Sequence, residues 1–187
     1  MAGEQALRAF HLLSVLWPHD LRGRRVGVVG DRWMPAEVSR LGGVAVSRHC
    51  DLVVLADAID HEEDPQGVVR RAAEMLSHGG DCVARCHPWT SPHGGHQWSG
   101  RGRNRAWGHI VDPSSAAVRV GRHGPADYRR WFSEAGFEVV SEAAVPLEPT
   151  FPAVPKVEAV VTAAAGLADP APLRVQFVDY ILRRAAR

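Results

Sequence analysis

The chain has 187 residues, with 22 Lys+Arg against 21 Asp+Glu, 45% hydrophobic residues and 7% aromatics. That length suits one domain whose core is large enough to need neither a disulfide nor a metal. A formal net charge of +1 excludes recognition of nucleic acid through bulk charge, and no apolar run approaches the ~18 residues of a membrane helix. Cys50, Cys82 and Cys86 are odd in number and too few for a disulfide framework, which points to a reducing compartment, the cytoplasm. Residues 1–10 carry Glu4 and Arg8 and lack the apolar stretch of a signal peptide.

In chain order, Leu7, Phe10, Leu13 and Trp17 recur about a helical turn apart and predict an amphipathic helix over 5–17, ended by Pro18. Residues 24–30 (RRVGVVG) read as a buried strand. Pro35 opens a short helix over 35–41, which Gly42-Gly43 closes. Residues 44–46 (VAV) form a second strand. Residues 51–56 (DLVVLA) form a third, apolar throughout, as a parallel strand covered on both faces requires. The next helix carries the clearest signals. Asp64 is its N-cap, Pro65 its first residue, Val68, Val69, Ala72, Met75 and Leu76 its apolar face, and His78 with Gly79 its stop.

A strand over 81–86 (DCVARC) follows, then a loop over 88–113 rich in Gly, Trp, His and Arg and without a clear period. Pro125 starts a helix with Tyr128, Trp131, Phe132 and Ala135 on its apolar face and Gly136 behind it. Strands over 137–145 and 156–163, separated by a Pro-rich turn, predict a hairpin-like ending. A linker over 164–172 leads to a final helix over 173–184. Its stripe of Leu173, Val175, Phe177, Val178, Ile181 and Leu182 docks on its own domain or, second, on a partner copy. Strand–helix alternation argues an α/β fold with a mostly parallel sheet and helices on both faces, in one domain over 1–187. Within it lie an N-terminal helix (1–20), a core (21–163) and a C-terminal helix (173–187). The ligand site of such a sheet lies at the carboxyl ends of its strands, where 30–35, 57–64 and 87–109 fall.

The block from Asp51 to Trp98 carries a D-L-V-V strand, the pair Asp60-His61, Asp64-Pro65 opening a helix, and Leu76 to Gly80 (LSHGG) before the next strand. With the S-P-x-G-G-H piece (91–96) and DYRRWFSEAGFEVV (127–140), it resembles the second half of a class I S-adenosylmethionine-dependent methyltransferase. The likeness covers about half the chain. It implies a Rossmann-like methyltransferase-type sheet, S-adenosylmethionine as cofactor and methyl transfer to a small molecule. The first half departs from the family. Where the family has a G-x-G-x-G loop after the first strand, this chain has Gly30-Asp31-Arg32-Trp33, with one glycine before bulky side chains. The second strand should end in a carboxylate for the ribose hydroxyls and instead runs Val46-Ser47-Arg48. The family's third strand and its helix are missing, so the cofactor half is shortened.

The resemblance assigns Gly30, Asp31 and Asp57 to the cofactor. Asp60, His61 and His87 are the candidate acid–base residues, since a His beside a carboxylate is tuned toward neutral pH. The alternative for Asp60 and His61 is to cap and shape the turn before Pro65. Trp89, His93, His96 and Trp98, interleaved in one Gly-rich loop, are the candidate substrate residues. A metal on His87, His93 and His96, with Cys86, would meet the ligand count, but no standard metal spacing is present and no metal ligand is assigned. Arg101, Arg103 and Arg105 either clamp an anion or form a solvated loop. Buried cysteine is common, so none of the three is taken as a nucleophile. Two further functions stand beside methyl transfer: a partner or regulatory subunit that keeps the fold without the cofactor, in a homo- or hetero-oligomer, and a cofactor-free or metal-dependent enzyme working through the His-rich loop.

Overall fold

The structure, a computed structural model, describes residues 20–30, 34–56, 58–60, 62–92, 107–111, 121–147 and 154–185. Six strands form one sheet: β1 (Arg25–Gly30), β2 (Val44–Ala45), β3 (Cys50–Ala56), β4 (Leu76–Cys86), β5 (Phe137–Pro146) and β6 (Val175–Arg184), in the order β2-β1-β3-β4-β6-β5. The pairs β1/β2, β1/β3 and β3/β4 are parallel. Arg85 on β4 pairs with Asp179 on β6, and Asp81 with Arg183. Residue numbers thus rise along one strand as they fall along the other, so β6 runs antiparallel to β4. Between the strands lie α1 (Met34–Arg40), α2 (Pro65–Met75), α3 (Gly108–Val111), α4 (Pro125–Glu134), α5 (Val154–Ala165) and a 3₁₀ turn at Ala171–Arg174.

The chain divides into two compact units, one of Met1–Cys86, Arg129–Glu142 and Asp179–Arg187, the other of His87–Tyr128 and Ala143–Val178. In the first, alternation along the strands sends neighbouring side chains to opposite faces. Val26, Leu52, Val54 and Val83 pack with Met34 and Val38 of α1. On the other face, a Cβ on Gly27 would strike Met75 of α2, Cys50 and Val53. Helices therefore cover both faces, as expected. Phe132 of α4 packs edge-on against Phe137 and Tyr180, with ring centroids 6.5 and 5.0 Å apart. In the second unit Trp107, Ile110, Val161 and Leu173 form the core, with Trp89, Leu147, Ala165 and Leu167 against it.

The structure departs from the sequence reading mainly at the C-terminal end. Residues 156–163, expected as a strand, belong to helix α5. The run is apolar almost throughout, which hides its period. Alanine is the strongest helix former, and Pro155 suits a first turn. Residues 173–184, expected as a helix, are instead the end of the 3₁₀ turn and β6. Val178, Tyr180 and Leu182 are buried alternately, the period of a strand, and Val175, Phe177, Val178, Tyr180 and Ile181 are β-formers. The last two strands are neighbours, as expected, but α5 and the 3₁₀ turn replace the hairpin. At the start of β4 the partner of Cys50 is Leu76 and that of Leu52 is Asp81. The residues from Ser77 to Gly80 therefore bulge out of the ladder, and the strand begins earlier than the expected 81–86. Beyond β2 the sheet has no further strand among the described residues.

Candidate functional site at the carboxyl ends of the strands

In the first unit, β1 and β3 run side by side and finish level, with Gly30 opposite Ala56. Gly30 is exposed with φ +107°. A side chain is rarely tolerated at that φ, so glycine is required for the chain to leave the sheet here. After β3 the chain turns inward. Ala58, Ile59 and Asp60 are buried, Asp60 with 7% of its surface exposed. The cap of α2 is Asp64, whose carboxylate accepts the Gly67 N–H at 2.8 Å and lies 3.2 Å from Arg70. A Cβ on Gly67 would overlap that carboxylate, so Gly67 permits the close cap. Capping thus belongs to Asp64, and the burial of Asp60 is a separate feature.

The Gly30–Ala56 row continues to Arg85, the register partner of Ala56. Arg85 makes a two-point pair with Asp179 at 2.7 and 2.6 Å, the side chains 11% and 13% exposed. Sequence reading passed over this pair. The signal was an arginine in the otherwise apolar run CVARC, which a buried strand tolerates only with a charged partner. Burial pushes the Cys82 thiol far above its ordinary range and raises that of Cys50. All three cysteines are buried free thiols, so none has the exposed thiolate of a nucleophile.

In the second unit His87 is buried, its ring edge-on to Phe177 at 5.6 Å and its carbonyl accepting the Tyr128 hydroxyl at 2.9 Å. Trp89 is half-buried and tied at both backbone atoms. Its N–H donates to the His123 carbonyl at 2.9 Å, and its carbonyl lies 2.7 Å from Nε2 of buried His109. The His109 ring also meets the Trp89 indole edge-on at 6.2 Å. Trp107 closes the loop, with Nε1–H donating to the Thr90 carbonyl at 3.0 Å and its backbone N–H to Pro92 at 2.9 Å. Helix α3, which follows Trp107, was not legible in the loop. Of the sequence-predicted residues, the structure places Gly30 and Asp60 in one unit and His87 and Trp89 in the other. Asp31, Asp57, His61, His93, His96 and Trp98 lie outside the described residues. Among the described residues no group of three His, Cys, Asp or Glu is placed to hold a metal ion.

No protein-family model matches this chain, and no curated protein matches it in sequence. Solved structures do match in fold. A SAM-dependent methyltransferase from Archaeoglobus fulgidus is similar at TM-score 0.54 and 11% identity, covering 95% of this chain and 94% of its own. An S-adenosylmethionine-dependent methyltransferase from Mesorhizobium loti is similar at TM-score 0.52 and 17% identity, over 93% and 96% of the two chains. This chain has a class I S-adenosylmethionine-dependent methyltransferase-like fold. A chain from the complex between the Haloferax volcanii Trm112 methyltransferase activator and a putative methyltransferase is similar at TM-score 0.51 and 15% identity, over 95% and 94%. The methyltransferase-like fold makes the Gly30–Ala56 edge the place to test for a cofactor. Gly30 fits, because it lets the backbone approach a ligand with no Cβ in the way. The end of β2 supplies no carboxylate: past Ala45 the chain runs through Val46 to exposed Ser47 and Arg48. The carboxylates nearest in sequence to this edge are Asp31, after Gly30, and Asp57, after Ala56.

Proposed function

We propose that this chain is an S-adenosylmethionine-dependent methyltransferase acting on a small molecule. The observation that carries the reading is Gly30 at φ +107°, level with the end of β3 at the carboxyl edge of a methyltransferase-like sheet. Gly30, Asp31 and Asp57 hold the cofactor, with the two aspartates taking the ribose-binding part that β2 does not supply. When bound, S-adenosylmethionine provides an electrophilic methyl on a sulfonium, so alignment of the acceptor carries much of the rate. Asp60, His61 and His87 are the groups assigned to take the proton that the acceptor nucleophile loses. Trp89, His93, His96 and Trp98 bind the acceptor. The three free cysteines suit a reducing compartment, the cytoplasm.

Isothermal titration with S-adenosylhomocysteine tests the reading. Binding that is lost in Gly30→Val supports it, and no heat at millimolar ligand ends it. The carboxylate-free end of β2 favours a second reading, a partner subunit that keeps the fold without the cofactor. A silent titration together with a stable heterocomplex isolated from the native cell would establish that one instead.

A further inference from the structure

The two edges of the sheet differ. β2 is two residues long and too short to template another strand. At the other edge β5 runs for ten residues, with β6 on one side and no strand on the other among the described residues. Glu138 and the whole run from Val140 to Ala144 are exposed, Val140 at 51%. An edge of that length presents a row of backbone N–H and C=O groups that a further strand can pair. Two of the usual guards are missing from it. β5 has no Lys or Arg, and its proline, Pro146, is its last residue, where a missing N–H blocks nothing.

The charges of β5 are Glu138 and Glu142, and their spacing discriminates between registers. In a closed two-fold arrangement a second β5 runs antiparallel to the first, and residues directly opposite each other share a face. With the axis through Ser141, near the middle of the strand, the ladder spans Phe137 to Val145. Glu142 then faces Val140 of the second copy, Glu138 faces its Ala144 and Val139 its Ala143. Ser141 faces Ser141 of the second copy, an uncharged pair able to hydrogen-bond. Sliding the axis one residue either way sets like charges opposite each other, which is unfavourable. An axis at Val140 puts Glu138 against Glu142, and an axis at Glu142 puts Glu142 against itself. Glu142 also has its charge answered within its own chain by Arg129 at 2.8 Å, and a net charge of +1 sets up little repulsion between whole chains.

We propose that β5 is a self-association edge: two copies of this chain pair their β5 strands antiparallel about an axis through Ser141, joining the two sheets into one. The glutamates do not block this pairing but select its register. The inference stands apart from the cofactor reading, and its test uses no cofactor.

Sedimentation of the full chain over roughly 1–100 µM, the range of a modest interface, shows a monomer passing into a dimer. Ser141→Arg sets two guanidinium groups against each other at the axis and leaves a monomer with wild-type thermal unfolding at low concentration. Cross-linking reads the register. The native thiols are buried, so Ser141→Cys and Glu138→Cys each add the thiol that reacts in the folded protein. Across the axis the added thiols at 141 face each other, whereas those at 138 lie six residues apart along the ladder, about 20 Å. A short bismaleimide therefore joins Ser141→Cys into a covalent dimer at least about tenfold faster than Glu138→Cys. A monomer throughout the concentration range overturns the proposal, as does a dimer that Ser141→Arg leaves intact. Equal cross-linking at the two positions overturns the register.

Discussion

Replacing Asp179 by asparagine leaves the Arg85 guanidinium in place and removes the charge that balances it. Both side chains are almost enclosed, at 11% and 13% exposure, and they meet through two hydrogen bonds of 2.7 and 2.6 Å. In water such a pair contributes little, but enclosure changes the sign of what is left behind. Removing one partner of a buried pair costs about 3–5 kcal/mol, because the survivor keeps its desolvation penalty without the attraction that offset it. Arg85 sits near the carboxyl end of its strand, level with Gly30 and Ala56, and both side chains keep a little exposure, so the lower figure of about 3 kcal/mol applies. For a chain of this size each kcal/mol moves Tm by roughly 2–4 °C, giving a fall of about 6–12 °C. Urea and thermal unfolding of wild type, Asp179→Asn, Arg85→Met and the double variant Arg85→Met/Asp179→Leu measure it. The double variant should return to within about 1 kcal/mol of wild type, since a well-packed apolar pair replaces the ion pair at little cost. A loss below about 1 kcal/mol in Asp179→Asn, or a double variant whose loss is the sum of the single losses, would refute the reasoning.

Three further outcomes follow from particular residues. Gly30→Ala forces a Cβ onto a residue at φ +107° and should cost about 1–3 kcal/mol in urea unfolding, with weakened S-adenosylhomocysteine binding; unchanged stability would show that the turn relaxes freely. Arg25 donates to Asp51 and holds its carboxyl below the usual carboxylate range. A depressed folded pKa gives stability that is present above the unfolded value near 3.8 and is lost as pH falls through the lower folded value. Asp51→Asn should therefore flatten the acid limb of the stability curve, and an acid limb identical to wild type counts against the pair. All three thiols are buried, so a thiol reagent should label none quickly in the native protein and all three after unfolding; a fast native thiol would show a cysteine open to solvent.

The first half of the fold was legible because its signals are local. The Val-rich runs of β1 and β3 can be buried only as covered parallel strands, and Asp64-Pro65 fixes the start of α2 whatever lies around it. The short step from β2 to β3 was also readable, since Ser47 to Cys50 are all that separates 44–46 from Asp51. The final third was not legible. Residues 154–165 are apolar almost throughout, so their period says nothing, and residues 173–184 satisfy a helical stripe as well as a strand alternation. Burial of Val178, Tyr180 and Leu182 on one face, with Asp179 and Arg183 reaching β4 from the other, decides for the strand.

The candidate site divides in the same way. The sequence by itself places Gly30 at a strand end and Asp60, His87 and Trp89 just beyond strand ends, because in a parallel sheet the chain must leave each strand there. Chain position cannot show that Arg122 lies over the Trp89 ring or that Arg85 finds Asp179, 94 residues away. Those pairings depend on which segments the sheet and the loop clamp bring within a few ångströms. The sequence thus determined where chemistry can sit on this fold, and the tertiary structure decided which charges face each other, because electrostatic partners are chosen by distance in space.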